Sequence, residues 1–495
     1  MKREAMKGEG EVGGGRPGVL SPQDTVERAL DASACDDCVV IMEERSTANL
    51  RWAGNTLTTN GVSASRRLTV IAIVRDAAGT RAGVVSRAGP SEDQIGDVVA
   101  DAERAAAASS PAQDAQPLPG PADGYPFKEI PGAGGAAGNQ RPAWDEAPGS
   151  TEIGVLRGFA GALGDAFGVA ASGGRRLYGY AEHSLNSLFL GSSTGLRLRH
   201  DQPSGRVELN AKTADMARSA WVGASTRDFA DIDVAGFEAD LARRLDWAAR
   251  RVELPAGRYE TLLPPTAVAD LLVDLYWSCG AKDAVDGRTV FSKPGGGTRV
   301  GERLASLPVT LRSDPAAPGL QAAPFVIAHA SGRNSSVFDN GLPLGPTEWI
   351  RGGELAALTQ TRYSAGLSGL PVTPTIGNLI LEVPGAHASL DDMVARTGRG
   401  LLLTCLWYIR EVDPQTLLLT GLTRDGVYLV ENGEVTGAVN NFRFNESPVT
   451  MLGRVTEAGA TGPALPREWG DYFSRSAMPP LRVDGFNMSS VSQAS

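Results

Sequence analysis

Apolar and polar positions along the first hundred residues predict a mixed α and β unit. Residues 38–43 begin with five apolar residues, which is typical of a short buried strand, and residues 50–57 alternate as a half-buried strand does. A further apolar run covers residues 68–74. Asn60 and Gly61 stand between the last two segments, and this dipeptide tolerates the positive φ of a type I′ turn. The pattern therefore predicts a hairpin that turns at Asn60-Gly61.

Helical spacing follows this hairpin and recurs later in the chain. Ser91 precedes Gln94 by three residues, which is the spacing of a capping box, and apolar residues then continue at a helical period. Further helices are predicted over 151–168, after a cap at Asp233, and over 266–279. Four short strands are predicted within residues 176–212, at 177–182, 187–190, 196–200 and 205–211.

The C-terminal half is dominated by strand patterns. They cover residues 324–330, 379–383, 401–409, 417–422, 427–430 and 434–444. Asn432-Gly433 between the last two runs predicts a second hairpin turn. The whole pattern indicates an α+β protein, with a mixed N-terminal domain followed by a β-rich C-terminal domain.

Composition divides the chain further. Residues 109–149 contain eight Pro and seven Gly. Such a stretch buries too little apolar surface to offset the entropy that is lost when it becomes ordered, so a linker or loop is expected there. The predicted units are a disordered N-terminus, an α+β unit, the Pro/Gly-rich linker, a second part of the N-terminal region and the β-rich C-terminal domain. Their bounds are 1–20, 21–108, 109–150, 151–255 and 256–490.

Charge and hydropathy exclude several classes of function. The 47 Lys and Arg residues against 57 Asp and Glu residues give a net charge of −10, which repels a nucleic-acid backbone. The longest apolar run, residues 68–74, is far shorter than the roughly 20 residues that span a bilayer. The first 20 residues lack the apolar segment of a secretory signal. We therefore expect a cytoplasmic protein that contacts neither nucleic acid nor membrane.

Cysteine and histidine offer few candidates for chemistry. Cys35 and Cys38 have the CxxC spacing of zinc ligands and of redox thiols. A structural zinc, however, needs four ligands. Redox pairs usually stand at the start of a helix, whereas this pair precedes a predicted strand. Two ordinary thiols are the favoured interpretation. Cys405 lies in an apolar run and is interpreted as buried and inert. None of the four histidines stands three to five residues from another, so there is no local metal clamp.

Several stretches of the C-terminal half resemble one family. They are Val290-Phe-Ser292, residues 375–382, 398–403 and 412–416, and above all Gly-Val-Tyr-Leu-Val-Glu-Asn-Gly-Glu-Val at 426–435. These stretches resemble the TldD/PmbA family, a two-subunit metallopeptidase also called TldD/TldE. The resemblance implies the family's α+β fold over most of the chain outside the linker.

The resemblance also implies where the family's metal site would fall. Active members carry His-Glu-x-x-x-His on a helix and a Cys near the C-terminus; these hold zinc, and the Glu is the general base. Counting back from residues 290–292 without gaps places Leu272 and Val273 at the His-Glu positions and Trp277 at the second His. No cysteine follows Cys405. The resemblance therefore assigns no catalytic residue, no metal ligand and no cofactor to this chain, which looks like the TldE/PmbA subunit.

Two hypotheses remain open at this stage. In the first, the chain is a non-catalytic partner of a TldD-like subunit that holds the zinc, and the pair degrades or processes peptides. In the second, it is a stand-alone metal-independent enzyme, or a homodimeric binding protein, with a re-invented site in the same fold. Candidate residues for that second site are Cys279, Asp283, His329 and Cys405.

Overall fold

The computed structural model describes residues 20–121, 143–424 and 426–492. The predicted disordered N-terminus lies outside these residues except for its last position, and so does the middle of the predicted linker. The described strands form three sheets, of which one belongs to the N-terminal half and two to the C-terminal half. The fold is α+β, as predicted.

The helices are short or medium in length and are distributed over both halves. They are α1 (Pro22–Ala32), α2 (Ile95–Ala108), α3 (Arg157–Ser172), α4 (Val234–Trp247), α5 (Pro265–Trp277), α6 (Ala281–Val285), α7 (Arg362–Ser368), α8 (Leu390–Ala395) and α9 (Pro448–Leu452). Short 3₁₀ turns cover Glu92–Gln94, Ile153–Leu156 and Val337–Asp339.

The strands are long in the N-terminal half and mostly short in the C-terminal half. They are β1 (Asp37–Ala53), β2 (Leu57–Asp76), β3 (Gly79–Ala88), β4 (Arg175–Ser192), β5 (Arg197–Thr213), β6 (Ser219–Thr226), β7 (Arg251–Val252), β8 (Gly257–Leu263), β9 (Thr310–Ser313), β10 (Thr347–Arg351), β11 (Glu354–Leu355), β12 (Leu379–Glu382), β13 (Arg399–Leu403), β14 (Leu406–Asp413), β15 (Leu418–Thr423), β16 (Val427–Glu431), β17 (Glu434–Val439), β18 (Phe442–Glu446), β19 (Val455–Ala458), β20 (Gly462–Ala464), β21 (Ser476–Met478) and β22 (Leu481–Val491).

The N-terminal sheet is antiparallel, with the strand order β3-β2-β1-β4-β5-β6. Successive residues of a strand point to opposite faces. In β1, Met42 and Leu50 pack in the clusters formed with α1 to α4, while Ile41 packs on the other face with Phe325 and Phe338 of the C-terminal half. One face of this sheet is therefore covered by helices, and the opposite face turns toward the C-terminal domain.

The predicted turn at Asn60-Gly61 is wrong. Both residues lie inside β2, paired with Leu50 and Asn49 of β1. The chain turns earlier, at Gly54 and Asn55, which have φ of 60° and 65°. The Asn55 side chain fixes this turn, because its amide donates to the Arg175 carbonyl (2.9 Å) and its Oδ1 accepts from the backbone N–H of Leu177 (2.6 Å).

Other local predictions are confirmed. Ser91 and Gln94 form the capping box, Asp233 accepts from the Gly236 N–H at the start of α4, and Asn432-Gly433 turns between β16 and β17 with φ of 52° and 84°. The four short strands predicted within residues 176–212 are instead two long strands, β4 and β5.

The described ends of the Pro/Gly-rich stretch are packed against the N-terminal half. The Arg199 guanidinium donates to the carbonyls of Ala143, Glu146 and Ala147 at 2.7–3.0 Å. Leu118 is 8% exposed and belongs to the cluster between the sheet and the C-terminal domain. Residues on both sides of positions 122–142 are therefore part of the folded core.

The C-terminal domain contains two mixed sheets. Their strand orders are β11-β10-β9-β12-β21-β20 and β14-β15-β18-β22-β8-β13-β16-β17-β7. Helix α5 contributes to the large hydrophobic cluster that also contains side chains of both sheets, such as Leu311 and Leu401. This helix is therefore a central core element of the domain.

One helical stretch, Ile153–Ser172, is long and apolar enough to cross a membrane by length and composition. Its Phe159, Leu163 and Ala166 pack with Trp52 and Leu177 of the N-terminal sheet, so one face of this stretch is buried.

Candidate functional site

Helix α5 carries the three positions that the sequence comparison singled out. Leu272 and Val273 are fully buried in the C-terminal core. One turn further, the Tyr276 hydroxyl donates to the Ile376 carbonyl (3.0 Å) and accepts from the Ile376 N–H (2.8 Å). The helix is thus fixed by apolar packing and by this pair of hydrogen bonds.

Trp277 lies at the C-terminal end of α5 and is 39% exposed. Its ring contacts Trp469 and Phe473, with centroid distances of 5.2 and 6.4 Å and edge-on geometry. It also lines a pocket of about 460 Å³ together with Asp283, Arg288 and other residues. Only the last of the three motif positions therefore reaches open space.

The polar side of α5, which carries Asp270 and Asp274, is covered by another segment of the chain. Asp270 is 1% exposed, and its Oδ1 accepts from the Glu468 N–H (2.9 Å). Trp469 donates its indole N–H to the Asp270 carbonyl (3.0 Å) and to Asp274 Oδ2 (3.1 Å). The segment 467–469 covers this face. The sequence around α5 could not indicate that contact, because the segment is distant along the chain.

Burial changes the acidity of both carboxyl groups. Desolvation raises the pKa of Asp274 from 3.8 to about 7, and the hydrogen bond from Trp469 opposes the rise. Desolvation also raises the pKa of Asp270 well above its ordinary value, although Arg467 lies close enough to oppose this effect. The α5 surface therefore holds two acids that bind a proton more tightly than an ordinary Asp does.

These residues do not fit zinc. Leu272 and Val273 have no lone pair to offer, and the Trp277 indole N–H is only a donor. Within residues 20–121, 143–424 and 426–492, no group of three or more His, Cys, Asp or Glu side chains is arranged to hold a metal ion.

A polar cleft lies on the face of the N-terminal sheet that turns toward the C-terminal domain. It measures about 570 Å³ and is lined by Glu43 and Arg45 of β1, by polar side chains of β2, β4 and β5, and by the segment 470–475. Arg206 closes it on one side through an ion pair with Asp471 (2.5 Å). Tyr472, which is 80% exposed, stands beside this pair.

A second cavity of about 480 Å³ adjoins this cleft, and Arg475 lines both; the two are called the lobes of the cleft. Glu43, Asn186, Gln202 and Arg475 line both lobes. The Arg475 guanidinium donates to the Gly377 carbonyl (2.9 Å) and to Ser204 Oγ (3.1 Å). Among the described residues, no carboxylate pairs with it, and desolvation lowers its pKa. The cleft thus contains a largely desolvated cation that still has donor capacity.

The four residues proposed for a re-invented site have different surroundings. The Cys279 thiol is fully buried, and burial raises its pKa. Cys405 is 2% exposed. Asp283 contacts Arg333 (3.5 Å) near Trp277, whereas His329 lies 3.7 Å from Glu43 at the cleft. The two cysteines are therefore closed off from substrate. Asp283 lines the pocket beside Trp277, whereas His329 only contacts Glu43 of the cleft.

The sequence of the C-terminal domain decides the family. Residues 256–490 match the family profile described as PmbA/TldA metallopeptidase C-terminal domain. Residues 256–490 of this chain belong to the TldD/PmbA family. A comparison with curated protein sequences finds no match.

Solved structures extend the TldD/PmbA fold over nearly the whole chain. TldE from Thermococcus kodakarensis is similar, with a TM-score of 0.75 at 16% identity, covering 94% of this chain and 99% of its own. A proposed modulator of DNA gyrase from Bacteroides thetaiotaomicron gives 0.71 at 15% identity, covering 95% and 98%. A further proposed gyrase modulator, from Thermotoga maritima, gives 0.73 at 14% identity, covering 94% and 99%.

The sequence analysis did not identify the segment 467–475, which contacts α5 and lines the polar cleft. Trp469 covers α5, and Arg475 joins the two lobes of the cleft. The stretch Arg-Glu-Trp-Gly-Asp-Tyr at 467–472 is dense in aromatic and charged residues, and that composition was the available signal.

Proposed function

We propose that this chain is a non-catalytic partner subunit of a TldD-type zinc metallopeptidase heterodimer that degrades or processes peptides. The observation that carries the proposal is helix α5, which holds Leu272, Val273 and Trp277 within a domain of the metallopeptidase family. The zinc is expected in the partner subunit. The likeness to a TldE structure supports the same assignment.

Converting α5 into a metal site would require more than three substitutions. Positions 272 and 273 are fully buried, so a His or Glu there would be a desolvated polar group at a cost of roughly 1–3 kcal/mol each without a partner. The family's C-terminal Cys has no counterpart after Cys405. Both points support a role that does not depend on metal in this chain.

The polar cleft is the part of this chain that we propose contacts peptide. Arg475 can donate to a peptide carbonyl or terminal carboxylate, because a guanidinium has five N–H donors and its two recorded bonds leave others available. Glu43 at the junction of the lobes can accept from a peptide amine or amide. The cleft thus offers complementary charges for a polar, extended ligand.

The stand-alone enzyme is the weaker hypothesis. Its two candidate nucleophiles, Cys279 and Cys405, are both buried, and burial raises the pKa of Cys279, which makes that thiol inert. We also propose a cytoplasmic location and no contact with nucleic acid, on the acidic composition given above. We propose no contact with a membrane, since the buried face of Ile153–Ser172 packs on the N-terminal sheet.

Reconstitution tests the proposal. The tagged chain would be co-expressed with a TldD-like subunit that keeps His-Glu-x-x-x-His, and hydrolysis of an unstructured peptide would be measured for each chain alone and for the mixture. We expect a stable complex, and activity that needs the partner's motif. The matched control is the complex whose partner carries His→Ala in that motif, which should be inactive. Peptide hydrolysis by this chain alone would contradict the proposal.

A further inference from the structure

Cys35 and Cys38 lie in the turn that joins α1 to the N-terminal sheet. Helix α1 ends at Ala32, and β1 begins at Asp37. Cys35 is partly exposed, whereas Cys38 is 2% exposed and packs in the cluster beneath α1 and α2. Both cysteines are free of disulfide bonds. The pair therefore combines one accessible sulfur with one sheltered sulfur.

The Cys35 sulfur is surrounded by hydrogen-bonding groups. Ser33 Oγ lies 2.9 Å from it, and in the thiol form Cys35 donates to the Asp37 carbonyl (2.9 Å). The Ile73 backbone N–H and the Cys38 thiol also contact it. A thiolate cannot donate, so when Cys35 is ionised these hydroxyl, amide and thiol groups must serve as donors to the sulfur.

The two thiols therefore differ in acidity. The hydrogen bond from Cys38 is the main cause that lowers the pKa of Cys35 from 9.0 to about 6, against burial and the nearby Glu103 of α2. The same contact raises the pKa of Cys38, together with burial. The other charges at this turn are Asp36 and Asp37, which bind the backbone N–H and the guanidinium of Arg75 in β2, respectively.

We propose that Cys35 and Cys38 form a redox-active dithiol, in which Cys35 is the attacking thiol and Cys38 the resolving thiol. The oxidant class is a small disulfide, RSSR. Cys35 thiolate attacks one sulfur of RSSR, which forms a mixed disulfide and releases RS⁻. The released RS⁻ then takes the proton of Cys38, and the Cys38 thiolate attacks the Cys35 sulfur, which forms the Cys35–Cys38 disulfide and releases the second RS⁻. RSSR gains two electrons, and the protein dithiol loses them.

This activity is independent of the proposed peptidase role. The pair stands on the N-terminal unit, and its surroundings are α1, α2, β2 and the turn after β4. Cys38 exchanges hydrogen bonds with Ser193, through its N–H to Ser193 Oγ (3.1 Å) and its carbonyl to the Ser193 N–H (2.9 Å). Cys38 is thereby fixed, so that Cys35 in the turn is the residue that must move when the disulfide forms.

Alkylation of the folded full chain is the first test. The tryptic peptide 29–45 contains both cysteines of the pair, while Cys279 and Cys405 fall in the separate peptides 259–282 and 400–410. We expect iodoacetamide to modify Cys35 first, with a rate midpoint near pH 6. At that pH the rate should exceed that of a simple thiol by roughly tenfold, after allowing for the lower nucleophilicity of an acidic thiolate. Buried Cys279 and Cys405 are internal controls and should stay unmodified.

Reaction with cystamine is the second test. The native chain should lose two hydrogen atoms within peptide 29–45 and keep no adduct, whereas Cys38→Ser should hold a stable mixed disulfide on Cys35. Cys35→Ser should give neither product. An alkylation midpoint near pH 8.5, or a native chain that stays reduced in excess cystamine, would overturn the proposal. Both of these readouts use the unaltered chain, so they decide the question even where a variant fails to fold.

Discussion

The indole nitrogen of Trp469 lies 3.1 Å from Oδ2 of Asp274, across the surface of α5. The same N–H reaches the Asp270 carbonyl at 3.0 Å. One tryptophan from a distant segment thus covers the polar side of the helix, and it leaves Asp270 Oδ2 without a hydrogen-bond partner among the described residues. Asp270 is therefore part of the domain interior, and Asp274 is half-buried beside it.

This burial predicts a pH-dependent stability. The pKa of Asp274 is about 7 in the folded protein against 3.8 as its ordinary value, so the folded state binds the proton more tightly than the unfolded state. The associated stability is fully present below about pH 4 and is lost as the pH rises from there through 7, by about 1.4 kcal/mol per pH unit at most. Urea unfolding at several pH values measures it.

Asp274→Asn should remove that penalty. The amide oxygen keeps the hydrogen bond from Trp469 without a charge to desolvate, so we expect the variant to be more stable than the native chain at pH 8 by about 1 kcal/mol or more, and to show a weaker pH dependence. Asp97→Asn on the exposed face of α2 is the control and should leave the profile unchanged. Equal profiles for Asp274→Asn and the native chain would contradict the burial argument.

The motif positions should differ in their tolerance of histidine. Leu272→His loses a fully buried apolar side chain and introduces an unpartnered polar group, so a destabilisation of about 3 kcal/mol or more is expected. Trp277→His at the exposed end of α5 should cost roughly 1 kcal/mol, chiefly from lost contact with Trp469. The midpoints of denaturant unfolding give both values. The opposite ranking would show that α5 is oriented differently.

Gly83 should be intolerant of even a methyl group. A Cβ at this position of β3 would lie 2.1 Å from the Ala106 nitrogen and 2.3 Å from the Ala102 carbonyl oxygen. Helix α2 would therefore have to move away from the sheet. Gly83→Ala should cost about 1–3 kcal/mol or more. Gly61→Ala in β2 meets nothing within 4 Å and should be neutral or slightly stabilising. Thermal unfolding of the two variants compares them directly.

Arg475→Gln tests the peptide-binding role of the cleft. In the reconstituted complex we expect KM for peptide to rise about tenfold or more, because a charge-assisted hydrogen bond is lost, while the zinc content stays the same. Arg157→Gln at an exposed position of α3 is the control. An unchanged KM for Arg475→Gln would place peptide binding elsewhere.

The two Asn-Gly pairs show how far local sequence determines this fold. Asn432-Gly433 turns because the flanking strands pair with each other across it. Asn60-Gly61 has the same preference, but Asn55 is hydrogen-bonded to β4 and fixes the turn five residues earlier. Caps and helical periods were predictable because they depend on residues close in sequence.

The candidate site was only partly predictable. Leu272, Val273 and Trp277 followed from a resemblance and an ungapped count, and the structure places all three on α5. Trp469 and Arg475 lie about 200 residues further along the chain, and their contacts with α5 and with Ser204 of β5 depend on the tertiary arrangement. No local pattern carries that information.

Zinc content measured in parallel on the isolated chain and on its complex with a TldD-like subunit tests the central claim most directly. Elemental analysis after exhaustive dialysis should give no stoichiometric zinc for the isolated chain, and one zinc per heterodimer for the complex. One zinc per isolated chain, removed by a chelator together with a peptidase activity, would contradict the assignment and show that this chain is itself the metal-bearing subunit.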